Sequence, residues 1–311
     1  MPYTLCVLGC GTMGIAIVSG VLESLHQVDS ITKSSSSSGD STPIPSEDPD
    51  TKPHRFITCV TRSESAKKLK KQWQSLGHED VEVRINENVK SIQESDVVLL
   101  SCKPQVAQDI LAAEGMREAC ANKLFISILA GTTISMLKSW LPESASVVRA
   151  MPNTPCQIRE GMTVLSSLPP NDPQSHRTRN ILLSLFTPIG RCRFLDEKHF
   201  DACTAVSGSG PAFSLVILEA IADGGVMMGL PRSEALELAA QTMQGAARMV
   251  LQTGRHPAAL KDSVTTPAGC TIAGLLALED GKVRSTIARA IQTATLHASG
   301  LGKSVPKPTA D

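Results

Sequence analysis

Gly9-Cys-Gly11-Thr-Met-Gly14 is the stretch that leaves this chain the least freedom. A short apolar run, Tyr3–Leu8, leads into it, and apolar residues at helical spacing follow (Ile15, Ile17, Val18, Val21, Leu22, Leu25). Strand, G-x-G-x-x-G and helix in that order is the arrangement in which the glycines have a mechanical meaning. The first permits the tight turn, the second lets backbone approach a pyrophosphate, and the third lets the helix pack on the strand. The helix N-terminus then faces the phosphates. Gly9, Cys10, Gly11, Thr12, Met13 and Gly14 are therefore expected to contact a dinucleotide.

A chain that starts this way is expected to continue as alternating strands and helices, and this one does. Strand two is read at Arg55–Val60 and ends in Thr61-Arg62-Ser63. NAD-preferring sites carry an Asp or Glu there for the ribose 2′-hydroxyl. None is present; Arg62, between two hydroxyls, offers a fork for a 2′-phosphate, which predicts NADPH preference. The plainer alternative is a surface arginine capping a helix over Glu64–Leu76. Asn86–Glu94 reads as helix, Asp96–Cys102 as a buried parallel strand, and Lys103-Pro104 opens a helix to Ala113. Leu124–Leu129 is the next strand, followed by a cap at Thr132 or Thr133. Val147–Met151, Gly161–Leu165 and Arg191–Leu195 read as further strands, with a helix at Pro173–Phe186. Ligands of open parallel sheets bind beyond the C-terminal strand ends, where Gly9, Thr61, Lys103, Ala130 and Asn153 fall. Lys103 is either a surface lysine or a cofactor contact. Residues 33–53, with seven serines (five of them consecutive) and four prolines, cannot bury surface and are expected to be a mobile loop.

From Glu197 the period is helical throughout. Asp201–Val206 leads to a turn, Ser207-Gly208-Ser209-Gly210-Pro211, that starts a long helix with Pro at its first position. Ala212–Leu230, the longest apolar stretch, carries Glu219 and Asp223 and reads as a buried helix, not a membrane span. Helices follow at Ser233–Leu251 and Arg284–Gly300. Five helices in about 115 residues with few large apolar side chains make a thin core for a monomer, so a second copy is expected to cover them.

Between helical segments at His256–Lys261 and Ile272–Glu279 lies Lys261-Asp-Ser-Val-Thr-Thr-Pro-Ala-Gly-Cys-Thr271. It turns the backbone sharply and leaves N–H groups unpaired at a helix start, a seat for an anion. Read alone it is more readily an ordinary cap, with Thr271 as N-cap. Thirty basic residues balance thirty acidic ones and aromatics are 3%, which argues against nucleic acid and anionic membrane as partners. Nine scattered cysteines without a Cys-x-x-Cys pair suit reduced thiols, and neither a disulfide framework nor a metal site is expected. The chain enters a strand at Tyr3, leaving no room for a leader, so a cytoplasmic location is expected.

With these pieces placed, the chain resembles pyrroline-5-carboxylate reductases. The motifs are Gly9-x-Gly11-x-Met13-Gly14, Cys102-Lys-Pro-Gln105, Arg149-Ala-Met-Pro-Asn-Thr-Pro155 and Asp201–Ala212. Ala222-Asp-Gly-Gly225, Gly229-Leu-Pro-Arg232, His256–Asp262, Thr266–Ile272 and Val283-Arg284 complete the set. The likeness spans the chain apart from 33–53, an insertion similar to that of fungal members. It implies an α/β protein: a Rossmann-type doubly wound sheet domain at 1–196 binding NADP, then an all-α dimerisation and substrate domain at 197–311. It implies NAD(P)H-dependent reduction of 1-pyrroline-5-carboxylate to L-proline, the last step of proline biosynthesis, in a homodimer or larger homo-oligomer with interlocked C-terminal helices. NADPH is the expected cofactor and NADH the alternative. Carried over by motif, Thr266, Gly269 and Cys270 surround the substrate carboxylate, Glu197 lies near the substrate, and Thr271 contacts the ring nitrogen. Asn88, Ser101, Cys102, Lys103, Pro104 and Ala130 join Thr61, Arg62 and Ser63 around the cofactor. The family commonly has Ser-Pro-Gly-Gly-Thr-Thr where this chain has Thr266-Pro-Ala268-Gly-Cys270-Thr271. Because Ala268 carries a Cβ, an α- or β-region backbone is expected there. Cys270 has no recognisable His–acid partner and is read as a packing residue, not a nucleophile. A reductase of a six-membered cyclic imino acid and a non-catalytic NADP sensor are the competing readings.

Overall fold

In the computed structural model, residues 2–28 and 48–300 are described. They divide into two compact units. One comprises residues 2–28, 48–208 and 296–300, and the other residues 209–295.

The first unit is built on one eight-stranded sheet: β1 Tyr3–Leu8, β2 Pro53–Val60, β3 Glu82–Ile85, β4 Val97–Leu100, β5 Leu124–Ser127, β6 Ser146–Met151, β7 Gly161–Ser166 and β8 Gly190–Leu195. Their spatial order is 3-2-1-4-5-6-7-8. Strands β1 to β6 are parallel; β7 runs antiparallel to β6, with Ala150 opposite Leu165, and β8 follows β7 in parallel. The sheet is thus mostly parallel, with its last pair reversed. Every residue of β1 is buried, as a central parallel strand covered on both faces requires.

The two-residue period of β1 sorts its side chains between two cores. Leu5 and Val7 pack with Ile17, Val18, Val21 and Leu22 of α1 (Thr12–Val28), Leu69 and Trp73 of α2 (Ser63–Ser75), and Ile181–Leu183, Leu185 and Phe186 of α7 (Ser175–Phe186). Cys6 and Leu8 pack on the other face with Ile92 of α3 (Asn88–Gln93), Ala107 and Leu111 of α4 (Pro104–Leu111), Met116 of α5 (Met116–Ala119) and Leu137 of α6 (Ile134–Trp140). At about 1.5–3 kcal/mol for each large apolar side chain removed from water, these layers supply the unit's own stability.

Residues 33–47 of the expected loop lie outside the described residues. Its end is built: Pro49–Thr51 forms a 3₁₀ turn with Thr51 buried, and Ser184 Oγ donates to Thr51 O at 2.7 Å. Strand two starts at Pro53, two residues before its expected start.

Past β8, α8 (Phe200–Cys203) runs into a π-helical turn at Thr204–Gly208. The expected open turn at Ser207-Gly208 is therefore helical, because a wide turn absorbs the two residues without breaking the ladder. The helical unit holds α9 (Gly210–Met227), α10 (Arg232–Thr253), α11 (Pro257–Ser263), α12 (Cys270–Asp280) and, for most of its length, α13 (Val283–Ala298). Its core is a cluster of alanines, Ala222, Ala235 and Ala239, between α9 and α10. Helix α9 is not the buried helix expected from its composition: Ala222 alone is buried, while Leu215, Val216 and Ile221 are half-exposed or more. The span Glu197–Met227 is long and apolar enough to cross a membrane by length and composition.

Candidate active site

The turn after β1 fits a dinucleotide's phosphates. Gly9 adopts φ +79°, its N–H donates to Cys59 O at 3.0 Å, and Gly11 N–H donates to Gly9 O at 2.8 Å. A Cβ on Gly9 would lie 2.5 Å from Cys102 Cα, and one on Gly14 would meet Ser101 Oγ at 3.0 Å and Val7 Cγ1 at 3.3 Å. These two glycines let the turn, β4 and α1 close on one another. Gly11 differs: the space where its Cβ would stand is open. A phosphate has room there, against the first-turn N–H groups of α1 that have no intrahelical acceptor. Cys10 is buried, and burial pushes its thiol up to about 12, so it stays protonated and contributes backbone and packing. Burial also raises the Cys102 thiol.

At the end of β2, Thr61, Arg62 and Ser63 are exposed and lead into α2. Arg62 stands at the cap position with an extended backbone, but its side chain makes no cap hydrogen bond and has no partner among the described residues. A free guanidinium at a helix start, with hydroxyls on both sides, is matched to a phosphate.

Over the C-terminal ends of β4, β5 and β6 opens a cavity of about 340 Å³. Gly11, Thr12 and Met13 line one side, Ser101 and Cys102 the next, and Ala130, Gly131, Arg149 and Met151 the far side. Lys103 is exposed at the cap of α4, with Pro104 as the first helical residue, and Asn88 opens α3. These three stand at strand ends but outside the cavity lining.

Sequence reasoning named Arg149 in a motif without giving it a role. It is 7% exposed, and its guanidinium donates to Glu197 Oε1 at 2.8 Å while lying 4.6 Å over the Phe200 ring. The same Oε1 accepts the Ile134 N–H at 2.8 Å, at the start of α6. Glu197 is thus engaged by two donors and does not stand free. Asn153 was likewise noted only in that motif and as a strand-end residue. Its Oδ1 accepts Met162 N–H at 2.8 Å and its Nδ2 donates to Ser207 O at 3.1 Å, tying β7 to the π turn. Such turns are rare and recur at functional sites.

Thr266, Gly269, Cys270 and Thr271 come together in the helical unit. Gly269 N–H donates to Thr266 O at 3.1 Å, closing a turn with Pro267 and Ala268 at its centre. Ala268 has φ +57°, contrary to the expected α or β conformation. A type II turn with Pro second needs a positive φ at its third residue, and closing the turn outweighs the Cβ clash of about 1–2 kcal/mol. The cap is Gly269, not Thr271; α12 begins at Cys270, so Thr271 is its second residue. No side chain caps this helix, and the half-buried Thr271 hydroxyl has no partner among the described residues. The first-turn N–H groups and that hydroxyl form a compact donor set. Cys270 is exposed beside them.

A glycine cradle, a free arginine at the second strand end and a cavity across the parallel strand ends define a nicotinamide-dinucleotide oxidoreductase. Residues 4–131 match the family described as NADP oxidoreductase, coenzyme F420-dependent, and residues 197–301 match pyrroline-5-carboxylate reductase dimerisation. The pyrroline-5-carboxylate reductase of Lophium arboricola is 48% identical over 314 residues, covering 97% of this chain and 94% of that one. The one from Schizosaccharomyces pombe is 49% identical over 300 residues, 96% and 99% of the two chains. The chain belongs to the pyrroline-5-carboxylate reductase family. The solved Coxiella burnetii pyrroline-5-carboxylate reductase superposes with a TM-score of 0.77 at 28% identity, covering 98% of this chain and all of that one. The Plasmodium falciparum pyrroline carboxylate reductase with NADP bound has the same fold, with a TM-score of 0.73 at 24% identity over 97% and 98% of the chains.

Proposed function

We propose that this protein reduces the C=N bond of 1-pyrroline-5-carboxylate with NADPH, giving L-proline. The observation that carries this reading is the conjunction, in a chain matched to such a reductase over 96% of its residues, of the dinucleotide cradle with the uncapped helix start at Thr266–Thr271. When bound, NADPH supplies the hydride. Cys10 to Met13 and the start of α1 hold its pyrophosphate, and Thr61, Arg62 and Ser63 its 2′-phosphate. Asn88, Ser101, Cys102, Lys103, Pro104 and Ala130 flank the remainder. The turn at Thr266, Gly269 and Cys270 takes the substrate carboxylate on N–H groups, which fixes the imine carbon for hydride attack. The Thr271 hydroxyl orients the ring nitrogen. A hydroxyl is a poor acid, so the proton arrives with an already protonated iminium or through a water that Thr271 positions.

The working division is 1–196 for the cofactor and 197–311 for substrate and assembly. The apolar surface of α9 suits a second copy of the chain, with interlocked C-terminal helices in a homodimer or larger homo-oligomer, better than a membrane or nucleic acid. Nine free cysteines suit the cytoplasm.

The test is NADPH oxidation by the purified protein with five- and six-membered cyclic imino acids, with the product identified by chromatography. L-Proline from the five-membered ring is expected. Preference for the six-membered ring would reassign the substrate, and no turnover with either would leave a cofactor-binding sensor. In the same assay Arg62→Ala is expected to lose roughly ten- to a hundredfold in kcat/KM with NADPH and little with NADH, the scale of one charged hydrogen-bonding contact. Equal loss with both would remove the 2′-phosphate assignment.

A further inference from the structure

We propose that Arg149, clamped by Glu197, is a positioning residue that shapes the nicotinamide half of the cofactor site; this rests on the NADPH-dependent reading above. Four observations converge on it. Arg149 lines the cavity beyond β4–β6, the side of the sheet left for the nicotinamide once the 2′-phosphate is at β2 and the pyrophosphate at β1. Its charge is almost wholly withdrawn from water. It is held on two sides, by the 2.8 Å bond to Glu197 and by the Phe200 ring. Glu197 in turn holds the Ile134 N–H, so the start of α6 and the Ala130–Thr132 turn before it are fixed to the same carboxylate.

A single carboxylate oxygen therefore ties together the end of β6, the start of α6 and the 197–200 turn. Ala130 and Gly131, which form the cavity wall opposite the glycine loop, are the segment this tie restrains. A hydride acceptor tolerates little displacement of its donor, so a wall free to shift by about 1 Å costs on the order of a hundredfold in rate. Glu197, implied by motif to lie near the substrate, acts in this account through Arg149 and Ile134.

Equilibrium binding separates this role from general stabilisation. The affinity of 2′,5′-ADP reports the adenosine end alone, while NADPH fluorescence reports the nicotinamide end. Arg149→Met is expected to leave 2′,5′-ADP affinity within about twofold and weaken NADPH roughly tenfold, with kcat down on the order of a hundredfold. Glu197→Gln, which keeps an oxygen for both donors, is expected to restore most of both values relative to Glu197→Ala. If Arg149→Met binds NADPH and turns over like wild type, or if both ligands weaken together in a folded protein, the proposal is overturned. Where Arg149→Met fails to fold, Glu197→Ala decides by the same two ligands: selective loss of NADPH supports the clamp, and no loss or equal loss refutes it. A wild type that binds 2′,5′-ADP but reduces no imine would instead sink the proposed function.

Discussion

The sheet unit and the helical unit solve the problem of burial in opposite ways. The first has fully buried Leu5, Ile17, Phe125 and Phe186 in two layers about its own strands. The second has an alanine cluster inside, and outside it leaves Leu215, Val216, Met227, Leu238 and Leu276 largely in contact with solvent. Small residues let α9 and α10 approach closely, but little apolar area is removed from water by them. One unit carries its stability within the chain; the other matches a dimerisation family over 197–301 and leaves apolar surface uncovered in the single chain.

The strongest way to break this contrast is a charge on that surface. Val216, 67% exposed in the single chain, is replaced by Glu. On a free surface the change is worth about ±0.5 kcal/mol. Buried without a partner it costs several, about 3 kcal/mol or more, which weakens association more than a hundredfold. Light scattering should show the oligomer falling to monomer while 2′,5′-ADP binding in the sheet unit persists. An intact oligomer would put the subunit contact elsewhere.

What the sequence revealed follows the same divide between local and distant causes. Strand, glycine loop and α1 were legible because six consecutive residues dictate the turn, the cradle and the helix start. The reversed direction of β7 was not, since pairing with β6 is settled by residues far apart in sequence. Strand β3 went unassigned, since Glu82 and Arg84 interrupt its apolar residues; Glu82 pairs with Arg55 of β2, and Arg84 with Glu82 and Glu94. The thin core of the helical half was legible from its small residues, yet α9 was expected to be buried within the chain. Composition tells that a surface needs covering, not which molecule covers it. Ala268 was read from its Cβ alone, although Pro267 before it already favoured a type II turn. The Arg149–Glu197 pair joins residues 48 apart, and no local pattern announces it.

A smaller effect sharpens the comparison through pH. Arg55, Glu82, Arg84 and Glu94 interlock at the start of β2 and β3 and the end of α3. Hydrogen bonds from Arg84 and then Arg55 lower the Glu94 carboxyl to about 2, from an ordinary 4.5, and Arg55 chiefly lowers Glu82. A folded-state value below the unfolded one gives stability that is complete above about pH 4.5 and is lost as pH falls towards 2. Denaturant midpoints for the sheet unit should therefore drop over that window, and Glu94→Gln should flatten the drop. These groups are partly exposed, so the effect is modest and salt-sensitive. The helical unit has isolated exposed pairs such as Asp223–Arg232 and Glu279–Arg284, which offer no comparable network. An unchanged slope in the Gln variant would dismiss the network as an acid-labile element.

The smallest expected change lies in the substrate loop. Ala268→Gly removes a left-handed strain of about 1–2 kcal/mol but frees the unfolded chain by about 0.4–1 kcal/mol. A net gain of roughly 0.5–1 kcal/mol should raise Tm by about 1–3 °C. A lower Tm would mean that the alanine backbone is not left-handed.

The role proposed for Thr271 is to orient the imine for hydride transfer from NADPH. Single-turnover oxidation of bound NADPH by 1-pyrroline-5-carboxylate, wild type against Thr271→Ala, measures it directly. A fall of about a hundredfold in the transfer rate is predicted, with NADPH affinity unchanged. Transfer at the wild-type rate in the variant would contradict the account.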